Sequence, residues 1–167
     1  MPPYVFRPMQ DADMPLVQRW LIQPHVAEWW HDPTTLEYVS GDLDHPDLAQ
    51  FIVTLQGRPF AYLQCYQISE WHDSFGPQPA GTRGLDQFIG EADMLGRGHG
   101  SAFVRAFIEQ LFAAGVPQVV IDPRPDNPRA IRVTSVSRLI RSALAPAHSC
   151  WPTMTVGCRT APGYRWA

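Results

Sequence analysis

The chain has 167 residues, is 45% hydrophobic and carries six tryptophans and eight phenylalanines, which is enough for one globular domain with a buried core. A net charge of −3 argues against nucleic acid as a partner. With no apolar run long enough for a bilayer and no leader pattern at Met1-Pro2-Pro3, the expectation is no membrane partner and a cytoplasmic location.

Tyr4–Pro8 reads as a first strand, and Asp11 offers an N-cap for a helix through Leu16, Val17, Trp20 and Leu21. The aromatic run His25–His31 is placed in a loop or short helix near the surface, and Glu37–Asp47 reads as acidic and irregular. Two arms, Phe51–Leu55 and Phe60–Tyr66, flank Gln56-Gly57-Arg58-Pro59 and predict a β-hairpin. A loop follows over Ser69–Thr82, and then a strand from Arg83 to Ile89. The spacing of Phe103, Val104, Phe107, Ile108, Leu111 and Phe112 predicts a helix over Ser101–Ala114, ended by Gly115. Gln118–Ile121 is a short apolar strand, and Asn127-Pro128 caps another helix. Strand, helix, strand, helix in this half argues for a parallel crossover after the antiparallel hairpin. Val133–Ala145 has helical character and Thr153–Val156 the look of a strand, in a tail without clean periodicity.

The chemistry is concentrated in Gly84–Gly100. A strand carrying Asp86 is followed by Met94-Leu-Gly-Arg-Gly-His-Gly100, which opens into a helix at Ser101. Glycines let backbone N–H groups approach an anion, and a helix N-terminus adds partial positive charge. The pairing predicts a phosphate-bearing cofactor beside a group able to bind or deprotonate an amine. The three cysteines, Cys65, Cys150 and Cys158, lack zinc spacing, and pairs such as His25 and His31 have no ligand geometry, so no metal is expected.

Charge is unevenly placed. All sixteen acidic residues lie at or before Asp126; with seven arginines they give the body −9, while six arginines give the tail +6. An acidic body attracts cationic substrates, although a solvated acidic surface has the same signature.

Ala27-Glu-Trp-Trp30, Arg83-Gly-Leu-Asp-Gln-Phe-Ile-Gly90, Met94–Gly100 and Asp122-Pro-Arg-Pro-Asp-Asn-Pro-Arg-Ala-Ile-Arg132 occur in one order. In these the chain resembles the aminoglycoside 6'-N-acetyltransferases of the GNAT superfamily, over about residues 4–132 of a single 1–167 domain. Siderophore acyltransferases share part of the pattern. The resemblance implies an α/β (α+β) fold with a mixed sheet splayed at a central pair of strands and flanked by helices. It implies acetyl-CoA as co-substrate, with its pyrophosphate on Leu95–Gly100, and direct acetyl transfer to an amine.

Residue by residue, it makes Asp86 the base and amine-binding carboxylate, a position also open to a strand-end carboxylate capping a turn. Trp30 lines the sugar pocket, and Asp73 and Asp122 are further substrate-binding acids, Asp122 being equally readable as the end of a strand before Pro123. Met94, Leu95, Gly96, Arg97, Gly98, His99, Gly100 and Ser101 form the cofactor loop. Arg97 adds a contact to phosphate, and His99 departs from the apolar residue often found there. Asn127 either contacts the pantetheine arm or caps the next helix.

The resemblance then stops. Thr134 stands where the family's tyrosine is thought to protonate the departing thiolate, and the Ala-Gly-Phe turn and closing strands are missing from 133–167. A shifted reading frame accounts for this tail, as does a divergent ending. The expectation is an aminoglycoside 6'-N-acetyltransferase, acting as a monomer or homodimer. The alternatives are an acyltransferase for a siderophore precursor or other small amine, and a catalytically impaired acyl-CoA or aminoglycoside binder.

Overall fold

The hairpin around Gly57 organises the sheet. In the computed structural model, which describes residues 4–68, 76–135 and 140–141, β2 (Leu48–Leu55) and β3 (Arg58–Gln67) are joined by Gln56 and Gly57 alone. Both turn residues have positive φ, 51° and 80°, the twist that matches a right-handed strand pair. Arg58 and Pro59, expected in the turn, belong to the strand. Pro59 lies opposite Thr54, where the register is irregular, so the missing N–H interrupts no regular ladder.

β1 (Tyr4–Pro8) pairs antiparallel with β2, and β4 (Arg83–Ile89) pairs antiparallel with β3. Next come β5 (Val119–Val120), parallel to β4, and β6 (Ile140–Arg141), parallel to β5, giving the order β1-β2-β3-β4-β5-β6. The expected parallel crossover is present. The helices are α1 (Met14–Leu21), α2 (Pro24–Ala27), α3 (Thr35–Gly41), α4 (His99–Ala113) and α5 (Pro128–Ser135).

Strand parity divides the core. Val53, Ala61, Leu63, Cys65 and Leu85 pack with Phe103, Val104, Phe107 and Ile108 of α4. Ile52, Tyr62 and Phe88 turn the other way and pack with Val17 and Trp20 of α1, Val26 of α2 and Val39 of α3. Alternate residues of one strand face opposite layers, so β4 offers Leu85 to one core and Asp86 and Phe88 to the opposite face.

Three expectations are corrected. Asp13 and not Asp11 organises the first helical turn: its carboxylate accepts from the Gln10 N–H at 2.9 Å and from Arg7 at 2.6 and 2.9 Å. The segment read as irregular from Glu37 contains most of α3, because Leu36, Val39 and Leu43 give it an apolar stripe among its acids. In the tail, given helical character over Val133–Ala145, α5 takes in Val133–Ser135 while Ile140–Arg141 is strand; Thr153–Val156 lies outside the described residues.

Candidate active site

The sheet parts where the chemistry was expected. β4 and β5 pair only at Arg83–Val119 and Gly84–Val120, and no pairing continues at Leu85 and Asp86. On the antiparallel side, Gly90 N–H donates to Phe60 C=O at 2.8 Å, and on the other side Arg83 N–H donates to Gln118 C=O at 3.0 Å. Backbone groups alternate sides along a strand, so Leu85, Gln87 and Ile89 turn theirs away from β3, towards the gap. One is engaged: His25 Nε2, from α2, lies 3.0 Å from Ile89 O, and a carbonyl only accepts, so the imidazole donates.

Asp86 stands on the face opposite α4, and register explains its neighbours. Gln64 is paired directly with Asp86, Tyr66 with Gly84 and Tyr62 with Phe88. Gln64 Nε2 donates to Asp86 Oδ2 at 2.9 Å, and Tyr62 OH donates to Gln64 Oε1 at 2.8 Å. Tyr66 adds a side-chain hydrogen bond to Asp86. Its ring occupies the place a Cβ on Gly84 would take, 2.2 Å from that position, which is why this strand position carries glycine.

Burial pushes the Asp86 carboxyl up from 3.8 to about 6, with the Gln64 and Tyr66 hydrogen bonds working against that rise and the nearby Asp122 adding to it. Asp122, half-buried, is itself pushed up by burial. It follows β5 by two residues, as Asp86 follows Gly84, so the two carboxylates flank the parted strands.

Trp30 packs on the face of the sheet that carries Asp86. Its ring meets Phe88 at 5.0 Å and 72° and Tyr62 at 6.0 Å and 84°, and Tyr62 stacks on Phe88 at 5.2 Å and 21°. Arg124, after β5, lies 5.9 Å from the Trp29 ring, tying this loop to the far strand. Asp73 lies outside the described residues.

The glycine-rich loop leads to the N-terminus of α4. Gly96 and Gly98 have φ of 72° and 80°, and nothing lies within 4 Å of a Cβ built on either. Gly98 is the N-cap of a fifteen-residue helix, has no side chain with which to cap it, and the first turn holds no acid. The arrangement therefore fits an anion such as a pyrophosphate.

The loop's side chains divide. Met94 is buried in the α4 core. Leu95 is half-buried and Arg97 exposed. His99 Nδ1 and Tyr4 OH are hydrogen-bonded at 2.8 Å and the ring packs on Phe60 at 5.7 Å, so the side chain is turned to the β1–β3 side and leaves the loop's backbone for an anion. Gly100 lets α4 approach α5, a Cβ there lying 3.3 Å from Val133, and Ser101 is half-buried in the first turn. Asn127 Oδ1 accepts from Ala130 N–H at 3.0 Å, capping α5 and leaving its amide N–H groups for other use.

The loop is anchored from below. Trp20 Nε1 donates to Glu91 Oε1 at 2.8 Å, its ring lies 2.2 Å from where a Gly90 Cβ would sit, and Arg58 bridges Glu91 and Asp93. Sequence reasoning missed Gln64, Tyr62, Tyr66, His25 and Trp20. Gln64 meets Asp86 only through the register of β3 on β4, which no turn in the sequence sets, so no sequence signal pointed to it.

The class that this fold defines is that of the acetyltransferases whose mixed sheet opens between two parallel strands. The chain belongs to the GNAT acetyltransferases, with residues 9–139 matching the Acetyltransferase (GNAT) domain. It is 34% identical over 140 residues to the aminoglycoside N(6')-acetyltransferase type 1 of Klebsiella pneumoniae, covering 75% of this chain and 68% of that protein. It is 26% identical over 143 residues to the lysine N-acyltransferase MbtK of Mycolicibacterium paratuberculosis, covering 79% of this chain and 63% of that one. Aminoglycoside acetyltransferase AAC(6')-Ib, solved in complex with coenzyme A and kanamycin, superposes with a TM-score of 0.70 at 34% identity, covering 79% and 81% of the two chains.

Proposed function

We propose that the protein acetylates the 6'-amine of aminoglycosides from acetyl-CoA, an antibiotic-resistance activity exercised in the cytoplasm. The observation that carries this is a carboxylate, Asp86, raised to about 6 at the point where β4 and β5 part, with Asp122 on the far side and Trp30 packed on the Asp86 face of the sheet. A polyamine sugar suits such a place, its ammonium groups meeting the acids and its ring faces the indole.

The α4 N-terminus and the loop Leu95–Gly100 would hold the pyrophosphate of acetyl-CoA, which supplies an acyl thioester. The Gln87 N–H faces the gap and is placed to polarise a carbonyl lying there. An ammonium has no lone pair, so transfer requires its proton to pass to the Asp86 carboxylate before the nitrogen bonds to the acyl carbon. The carbon–sulfur bond then breaks with its electron pair on sulfur, and the second proton that the nitrogen sheds on becoming an amide passes to that thiolate or to water. Raising Asp86 from 3.8 to about 6 narrows the gap to an alkylammonium near ~10.4 by about two units, roughly 3 kcal/mol of proton-transfer cost. A thiol with a pKa near ~8.5 departs as thiolate at modest cost, so Thr134 in place of tyrosine slows the reaction without abolishing it.

The likeness to a lysine N-acyltransferase supports a second reading, transfer to a small linear amine. Thiol release from acetyl-CoA separates the two. Release with kanamycin or tobramycin, and none with an aminoglycoside bearing a 6'-hydroxyl, is expected; release only with lysine-type amines or hydroxylamine selects the second reading. Binding without release would leave a catalytically impaired binder.

A further inference from the structure

Tyr62 is fully buried, lies outside the sequence motifs and is unassigned by the chemistry above. Its hydroxyl nevertheless begins a hydrogen-bond chain that ends on Asp86. An ionised carboxylate accepts only, so the Gln64 amide must present its NH2 to Asp86. That orientation turns Gln64 Oε1 towards Tyr62, whose hydroxyl must then donate. The two observed distances, 2.8 and 2.9 Å, and the direct pairing of Gln64 with Asp86 fit this one direction of donation.

We propose that Tyr62 is a positioning residue for acyl transfer: its O–H locks the Gln64 amide in the orientation that donates to Asp86 Oδ2, so that the carboxylate keeps its remaining lone pairs for the substrate nitrogen. Without that O–H, the amide carbonyl has no donor and the amide is free to turn, setting an oxygen against the carboxylate. The ring itself remains useful, stacked on Phe88, so a phenylalanine separates the two roles of this side chain.

Other groups act on the same carboxyl. Tyr66, from β3, donates to it, and Asp122, beyond β5, repels its charge; Asp42, at the end of α3, acts on Tyr62. None of them replaces Tyr62 at Gln64 Oε1. Loss of the lock therefore disfavours the ionised form of Asp86 and moves its titration upward.

The inference rests on Asp86 as the base, but it has a readout independent of turnover. The Asp86 carboxyl carbon is followed by NMR against pH in free protein labelled with 13C-aspartate, using wild type, Tyr62→Phe, Gln64→Met and the double variant. Asp86→Asn identifies the resonance. Tyr62→Phe is expected to raise the midpoint by about half to one pH unit and Gln64→Met by about one, the scale of one lost hydrogen bond to a charged group. In the Gln64→Met background, Tyr62→Phe should add nothing. A Tyr62→Phe midpoint equal to wild type, or a full extra shift in the double variant, overturns the proposal even where thermal stability falls. Should Tyr62→Phe fail to fold, Gln64→Met and Gln64→Glu decide: an unmoved midpoint in Gln64→Met, or an Asp86 midpoint no higher beside the new carboxylate of Gln64→Glu, refutes it. Absence of acetylation in wild type would overturn the functional reading and leave these titrations interpretable.

Discussion

Replacing Asp86 by asparagine should make the protein more stable and less active. Ionising a carboxyl whose folded value is about 6 against 3.8 when unfolded opposes folding, because the native state holds the proton more tightly. The native state therefore binds more protons between pH 3.8 and 6, and stability falls as pH rises through that window. Above it the full cost is present: about two pH units at ~1.36 kcal/mol each, roughly 3 kcal/mol. Asparagine keeps an oxygen for Gln64 Nε2 and removes the charge, so Asp86→Asn should gain on the order of 1–3 kcal/mol at pH 8 and little at pH 4. Urea unfolding of both proteins at pH 4, 6 and 8, followed by tryptophan fluorescence, measures this. A variant less stable than wild type at pH 8, or a stability difference unchanged from pH 4 to 8, would refute the reasoning. Turnover in the same variant should fall by at least about 100-fold, the scale of a lost general base.

Other perturbations test the surrounding scaffold. Gly90→Ala drives a methyl to 2.2 Å from the Trp20 ring and should cost about 1–3 kcal/mol, seen as a lower melting temperature. Gly98→Val strains a residue at φ 80° beside the helix N-terminus, and should raise KM for acetyl-CoA more than KM for the amine in initial-rate kinetics. His25→Ala leaves the Ile89 carbonyl without its side-chain donor at the edge of the gap; kcat/KM for acetyl-CoA should drop several-fold, about 1 kcal/mol, while the far-ultraviolet circular dichroism is unchanged.

The regular elements were readable where burial imposes a period. Phe103, Val104, Phe107 and Ile108 announced α4, and Arg83–Ile89, read as a strand ahead of the glycine-rich loop, is β4 with those bounds. α3 was hidden because Glu37 and Asp42 mask a stripe of only three apolar residues. At the candidate site, Asp86, Trp30 and Asp122 were legible as motif positions; the structure sets Asp122 near Asp86 and packs Trp30 on Phe88 and Tyr62, which share the Asp86 face. Gln64 and Tyr62 were not, since they belong to no motif and gain their role only from the register of β3 on β4. His99 shows the converse: it stands in the loop by sequence, while its ring turns to Tyr4 and Phe60. Asp73 and most of the tail lie outside the described residues.

The central claim is that Asp86 must be ionised to take the amine proton. The pH dependence of kcat/KM for kanamycin, at saturating acetyl-CoA, tests it directly. The rate constant should fall tenfold per pH unit below a midpoint near 6 in wild type, and that limb should be missing from the residual activity of Asp86→Asn. A wild-type profile with no acidic limb between pH 5 and 7, or an identical limb in the variant, would contradict the account.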